Sequence, residues 1–191
     1  MTSLVSLPAG VTVLERGWLS ANNVLLCDAD NATLVDSGYV THQEQTLALV
    51  DQALQGRALD QLANTHLHSD HCGGNQALQA RYPALKTWIP PGLAPAVHTW
   101  CEDELSYKPT GQNCPAFTFT GLLMPGTSHR WANMDWEVHA APGHDPHSVI
   151  LFAPEHRLLM SADALWQNGF GVVFPSWSGW MHLTKWVKPS T

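Results

Sequence analysis

The chain has 191 residues, 45% of them hydrophobic and 13% charged. That is enough for one domain with a sizeable core, and the composition lacks the polar, low-hydrophobicity signature of disorder. A formal net charge of −7 with no Lys/Arg cluster argues against a nucleic-acid binder. No apolar run approaches the roughly eighteen residues of a membrane span, and the N-terminus lacks a secretory signal pattern. Together these point to a cytoplasmic protein with no membrane or nucleic-acid partner.

In chain order, residues 11–16, 23–27 and 31–36 alternate or run apolar and β-branched, with Asn/Asp turns between them. They predict a strand meander. A helix is predicted over 41–54, with Leu47, Val50 and Leu54 on one face, Thr41 as N-cap and Glu44 three residues later. A strand ends at Thr65, and a helix runs on to about Arg81. A further strand, Lys86 to Ile89, is stopped by Pro90-Pro91. Residues 90–116 read as a helix and a long loop. Strands return at about 117–123, 134–141, 148–152 and 157–161. This is a mixed α/β layered pattern. The four cysteines, Cys27, Cys72, Cys101 and Cys114, form no Cys-x-x-Cys and read as free thiols, Cys72 being a packing residue.

The most informative stretch is Thr65-His-Leu-His-Ser-Asp-His-Cys-Gly-Gly74, with His66, His68, Asp70 and His71 inside six residues. Imidazole and carboxylate are the ligands zinc accepts most readily outside thiolate sites. A helix would scatter the four around its axis. An extended segment points His66 and His68 the same way, and a following turn can bring Asp70 and His71 round beside them. That arrangement suits two neighbouring metal ions. Gly73 and Gly74 fit a tight turn entering a helix.

The segment resembles the His-x-His-x-Asp-His signature of the metallo-β-lactamase superfamily, and its flanking Thr and Gly-Gly are most similar to the glyoxalase II branch. The resemblance implies an αβ/βα sandwich with metals at one edge between two sheets. It also implies further site residues. His144, in Ala-Pro-Gly-His (141–144), would complete a first metal site with His66 and His68. Asp163, in Ser-Ala-Asp-Ala, would bridge both metals, with Ala162 standing where the family usually has Gly. Asp36, in Thr-Leu-Val-Asp-Ser-Gly, would support the metal loop without binding metal. Asp145 reads as an outer or solvated carboxylate, His147 as a substrate-side or surface residue, and the remaining histidines as surface or packing residues.

The implied function is a zinc-dependent hydrolase of a small-molecule ester or thioester-type carbonyl, attacked by metal-bound hydroxide with Asp70 orienting it and helping to hold the second metal. One zinc is expected to bind tightly and a second more weakly. The family's last ligand, a late His, has only His182 as a candidate here, so a catalytically impaired metal-binding protein is the alternative. The resemblance covers about 11–175. All sixteen acidic residues lie at or before Asp163, and 176–191 carries Lys185, Lys188 and three tryptophans. The expected organisation is a domain over 1–175, C-terminally truncated, with a divergent tail over 176–191.

Overall fold

The computed structural model describes residues 7–17, 20–166 and 169–170. The expected boundary at 175, the tail and His182 lie outside them.

The first sheet has six strands in sequential order: β1 (Val11–Leu14), β2 (Asn23–Cys27), β3 (Ala32–Val35), β4 (Gln61–Ala63), β5 (Lys86–Ile89) and β6 (Gly121–Leu122). The first three form the antiparallel meander, and β3 through β6 run parallel. The second sheet is antiparallel: β7 (Ser128–Trp131), β8 (Met134–Ala140), β9 (Val149–Ala153) and β10 (Leu158–Met160), in the order β10-β9-β8-β7. A two-stranded ribbon, β11 (Leu165–Trp166) and β12 (Gly169–Phe170), follows.

Period-two alternation explains why the first sheet is covered on both faces. Leu26, Val35 and Ala63 face the second sheet and pack with Trp131, Trp136, Val138 and Leu151. Their chain neighbours Leu25, Leu34 and Leu62 face the other way, onto Val50, Leu54 and Leu78. Those three belong to helices α1 (Gln43–Leu54) and α3 (Asn75–Arg81); α2 (Ser69–Cys72) is a single turn between β4 and α3. The buried tryptophans keep their indole N–H groups satisfied. Trp131 donates to the Gln61 side chain at 3.1 Å and Trp136 to the Trp131 carbonyl at 3.3 Å. A third cluster, with Val97 of α4 (Ala94–Thr99) and Tyr107 of α5 (Tyr107–Thr110), packs against Leu67, Ile89 and Cys72. All four cysteines are free, and Cys72 is fully buried with its sulphur 3.2 Å from the Tyr107 hydroxyl. Among the described residues no helix is long and apolar enough to cross a membrane.

Four local expectations change. Thr41 is not the N-cap of α1; it lies in a 3-10 turn, Val40–His42, closed by the His42 amide on the Tyr39 carbonyl, and His42 occupies the cap position without capping the helix through its side chain, which meets the Ser20 hydroxyl at 2.9 Å. The strand expected over 117–123 is reduced to β6, because the Thr118 amide bonds the Gln79 side chain instead of a ladder partner. Strand β7 lies at a sheet edge with only Trp131 fully buried, so Ser-His-Arg-Trp carries almost no alternation to read.

The fourth concerns the reason for glycine at 73 and 74, which do form a turn entering α3 as expected. Both have ordinary right-handed helical φ values, −63° and −86°, so no glycine-specific turn is present. Close approach is what excludes a side chain. A Cβ at Gly73 would lie 2.6 Å from the Val40 amide nitrogen, and one at Gly74 would lie 2.5 Å from the Ser37 carbonyl oxygen. Neither backbone atom can swing aside. Gly73→Ala is therefore expected to cost roughly 1–3 kcal/mol in urea unfolding, as overpacked cores do. An unchanged midpoint would show that α2 and the 37–40 loop separate freely.

Candidate metal centre

Four chain segments meet at one edge of the sandwich. Parallel pairing of β3 and β4 puts their C-terminal ends side by side, so Asp36 and Thr65 are neighbours. The Asp36 amide bonds the Ala63 carbonyl at 2.9 Å. Asp36 Oδ1 accepts the Thr65 N–H at 2.9 Å, and Oδ2 accepts the Thr65 hydroxyl at 2.8 Å. Asp36 adopts φ 57°, a left-handed conformation that Asp tolerates better than most residues. The second sheet is tied to the same point. The Val149 amide at the start of β9 donates to the Thr65 carbonyl at 2.9 Å, which brings the 141–148 turn and His144 over the motif. Strand β10 pairs with β9, and Asp163 follows it in a short 3-10 turn, Ala162–Ala164. Ala162 has φ 44°, a left-handed conformation that glycine adopts without strain and alanine does not.

Beyond β4 the chain stays extended, with His68 at φ −68° and ψ 147°, and then closes the single turn α2. His66 and His68 therefore present their rings to the same place. His66 Nε2 is 3.1 Å from His68 Nδ1, which is 2.9 Å from His144 Nε2. The α2 turn brings the His71 ring within 4.0 Å of the His66 ring, centroid to centroid. Asp163 lies between, with Oδ1 3.5 Å from His71 Nε2 and Oδ2 3.2 Å from His144 Nε2. Among the described residues, two sets of side chains offer ligand atoms that all lie within 4.8 Å of one another: His66, His68 and His144; and His66, His71 and Asp163. They share His66. Asp70 belongs to neither and stands at the rim, its Oδ2 3.7 Å from His71 Nε2. His147 is exposed, and its ring lies where a side chain on Gly92 would have to go.

The surroundings fix the orientation of His71. Its Nδ1 lies 2.8 Å from Asp36 Oδ2. Its carbonyl accepts the Ser37 amide at 2.7 Å and the Asn64 side-chain amide at 3.1 Å. The Asn64 side chain in turn accepts from Asn75 at 2.7 Å. Asn64, Asn75 and Ser37 are fully buried, and the sequence does not single them out. Asn64 and Asn75 flank the motif closely, and a polar residue ending an apolar strand is the one signal that points to them.

Protonation follows burial and neighbouring charge. Burial holds His66 well below its usual range. It also lowers His68, against the opposing pull of Asp145. Complete burial would lower His71 too, but Asp36, Asp163 and Asp70 outweigh it and push the imidazole up to about 10. Burial opposes the charge on Asp163, yet His71, His144 and His68 hold its carboxyl below the usual range. Imidazole nitrogens converging beside carboxylates are a cation site in their donor chemistry, and an ion there would take the place of the proton on His71. One further observation fits a metal. His71 Nε2 is buried, faces the cluster and makes no hydrogen bond. Asp163 and Asp70 stand 3.5 and 3.7 Å from it, so a buried ring nitrogen is left with carboxylates near but no hydrogen bond.

The family model described as the metallo-beta-lactamase superfamily matches residues 16–185. A hydroxyacylglutathione hydrolase of Stenotrophomonas maltophilia is 29% identical over 151 residues, covering 79% of this chain and 48% of that protein. A hydroxyacylglutathione hydrolase of a Synechococcus species is 31% identical over 148 residues, covering 71% of this chain and 51% of that protein. The chain thus spans about half the length of these curated relatives. Among solved structures, the B3 metallo-beta-lactamase BLEG-1 superposes with a TM-score of 0.68 at 23% identity, over 85% of this chain and 76% of its own, a likeness of fold. Motif, sandwich and family match agree: the chain belongs to the metallo-beta-lactamase superfamily.

Proposed function

We propose that the protein is a zinc-dependent hydrolase whose substrate is a small molecule with a thioester or ester carbonyl. The observation that carries this reading is the pair of ligand sets joined through His66, with the buried Nε2 of His71 left without a hydrogen bond. His66, His68 and His144 would hold one ion; His66, His71 and Asp163 face a second position. Zinc, when bound, supplies Lewis acidity and lowers the pKa of water towards 7. The rest falls to the chain's own residues. Asp163 presents one oxygen to a histidine of each set, so it joins the two halves of the centre. Asp36 holds the Nδ1 edge of His71, leaving Nε2 for the cluster. Asp70, partly exposed at the rim beside His71, would accept a proton from an attacking water and orient it towards the substrate. The thioester preference is taken from the two hydroxyacylglutathione hydrolases.

The test is direct. Protein dialysed against buffer is assayed for zinc and then for hydrolysis of acyl-glutathione and simple aryl esters. One tightly held zinc per chain, a weaker second ion and thioester turnover are expected. Asp70→Asn should then lower kcat by about 100-fold or more while leaving the melting temperature unchanged. Zinc without turnover of either substrate class would favour a metal-binding protein impaired in catalysis, and absence of zinc would overturn the assignment of the ligands.

A further inference from the structure

The first ligand set has a feature that the resemblance does not assign. His68 turns Nδ1 towards the cluster, so its Nε2 edge faces away from His66 and His144. Asp145 stands on that far side, with Oδ2 3.6 Å from His68 Nε2. The distance is longer than a hydrogen bond, so the contact is a carboxylate facing the outer ring nitrogen. The carboxylate is nonetheless buried, its side chain only 8% exposed. A buried carboxylate needs a partner. Among the described residues no Lys or Arg forms an ion pair with Asp145, and His68 does.

The turn that carries Asp145 is internally braced. Its Oδ1 accepts the His147 N–H at 2.6 Å, and its carbonyl accepts the Ser148 N–H at 3.2 Å. The Ala141 amide closes the turn on the Ser148 carbonyl at 2.9 Å, and the next residue, Val149, is tied to Thr65. Asp145 therefore does not follow His68; it is fixed independently and faces it. A closer version of this arrangement, at 2.8 Å, occurs in the other set. There Asp36, fixed by Thr65, backs the Nδ1 edge of His71 while Nε2 faces the cluster. Each ligand set thus contains one imidazole backed by a buried carboxylate from a different chain segment: Asp36 behind His71 and Asp145 behind His68.

We propose that Asp145 is a positioning residue for the first metal site, holding the His68 ring with Nδ1 towards the ion and raising that site's affinity for zinc. A carboxylate on the outer nitrogen selects the tautomer that leaves the inner nitrogen free to ligate, and it increases ligand basicity. The role rests on the zinc reading above.

The test compares wild type, Asp145→Asn and Asp145→Ala. The dissociation constant of the tighter zinc is measured by chelator competition, the visible spectrum of the cobalt-substituted protein is recorded, and the metal-free melting temperature serves as a control. Asn keeps an oxygen for the His147 amide and removes the charge. Asp145→Asn should weaken the tighter zinc by about 10–100-fold, alter the cobalt spectrum, and leave the metal-free melting temperature unchanged. Asp145→Ala should lower affinity similarly and also melt earlier. An unchanged zinc affinity in Asp145→Asn overturns the proposal, as does a loss of affinity that merely tracks a lower metal-free melting temperature. Wild-type protein that binds no zinc would sink the hydrolase reading and this proposal together. Wild-type zinc binding that Asp145→Asn does not disturb would sink this proposal alone.

Discussion

Replacing His66 with alanine is expected to deprive either ligand set of an imidazole, whereas His144→Ala should deprive only the first. The reason is that His66 belongs to both sets and His144 to one, and the single His66 nitrogen facing the cluster can serve one ion at a time. Four-ligand zinc sites bind with about 10–16 kcal/mol, so one ligand contributes on the order of 3 kcal/mol, or about two orders of magnitude in Kd. Chelator titration of His66→Ala should therefore show no zinc retained at concentrations that saturate wild type. His144→Ala should lose the tighter ion and keep only the weaker binding of the set formed by His66, His71 and Asp163. His98, exposed on α4 and in neither set, serves as the control, and His98→Ala should bind as wild type does. His66 is only 1% exposed, so its loss also leaves a cavity. The metal-free melting temperature of each variant separates that cost from lost ligation. Equal retention of zinc by His66→Ala and His144→Ala would rule out a shared ligand.

Much of this centre is legible in residue order, because parts of it are local. His66, His68 and His71 are close in the chain, and an extended segment followed by one turn is enough to bring them together. The meander is legible because Leu25/Leu26 and Leu34/Val35 alternate between two buried faces. His144 and Asp163 can be placed only through the family resemblance. Nothing in their own surroundings shows that the Val149 amide reaches Thr65 or that β10 pairs with β9. Gly73 and Gly74 stand out in the sequence, but it suggests the wrong cause, since close approach between distant segments leaves no local mark, whereas a turn does. Asp145 stands out too, without a partner. Its link to His68 crosses between sheets, from residue 145 to residue 68, and sequence order carries no trace of it. The buried Ser37–Asn64–Asn75 network is hidden for the same reason: a polar residue near a loop looks solvated until the fold covers it.

The stability of the metal-free protein should peak near neutral pH and fall on both sides, and zinc should remove the alkaline fall. His71 is raised to about 10 in the folded protein, mainly because Asp36 and Asp163 overcome the effect of burial. In the unfolded chain an imidazole titrates near about 6.5. A folded pKa above the unfolded one gives stability that is fully present below about 6.5 and is lost as pH rises towards about 10. His66 has the opposite sign. Burial lowers it, so its contribution is present above about 6.5 and is lost as pH falls below that value. His68 is lowered as well and acts in the same direction. The two effects meet near pH 6.5. A tenfold change in proton affinity between the unfolded and folded states corresponds to about 1.4 kcal/mol, so the alkaline limb is worth on the order of a few kcal/mol, a large share of the roughly 5–15 kcal/mol that stabilises a domain. Zinc bound at His71 takes the place of the Nε2 proton, while Nδ1 stays with Asp36, so the loaded protein has no His71 proton left to lose over that range. Urea unfolding of chelator-treated protein from pH 5 to 10, repeated with zinc, measures both limbs. Calorimetry in buffers of different ionisation enthalpy should also register proton release on zinc binding at pH 8. Metal-free stability that stays level or rises from pH 7 to 10 would show that Asp36 does not hold a proton on His71. An alkaline fall of the same size with zinc bound would show that His71 is not a ligand.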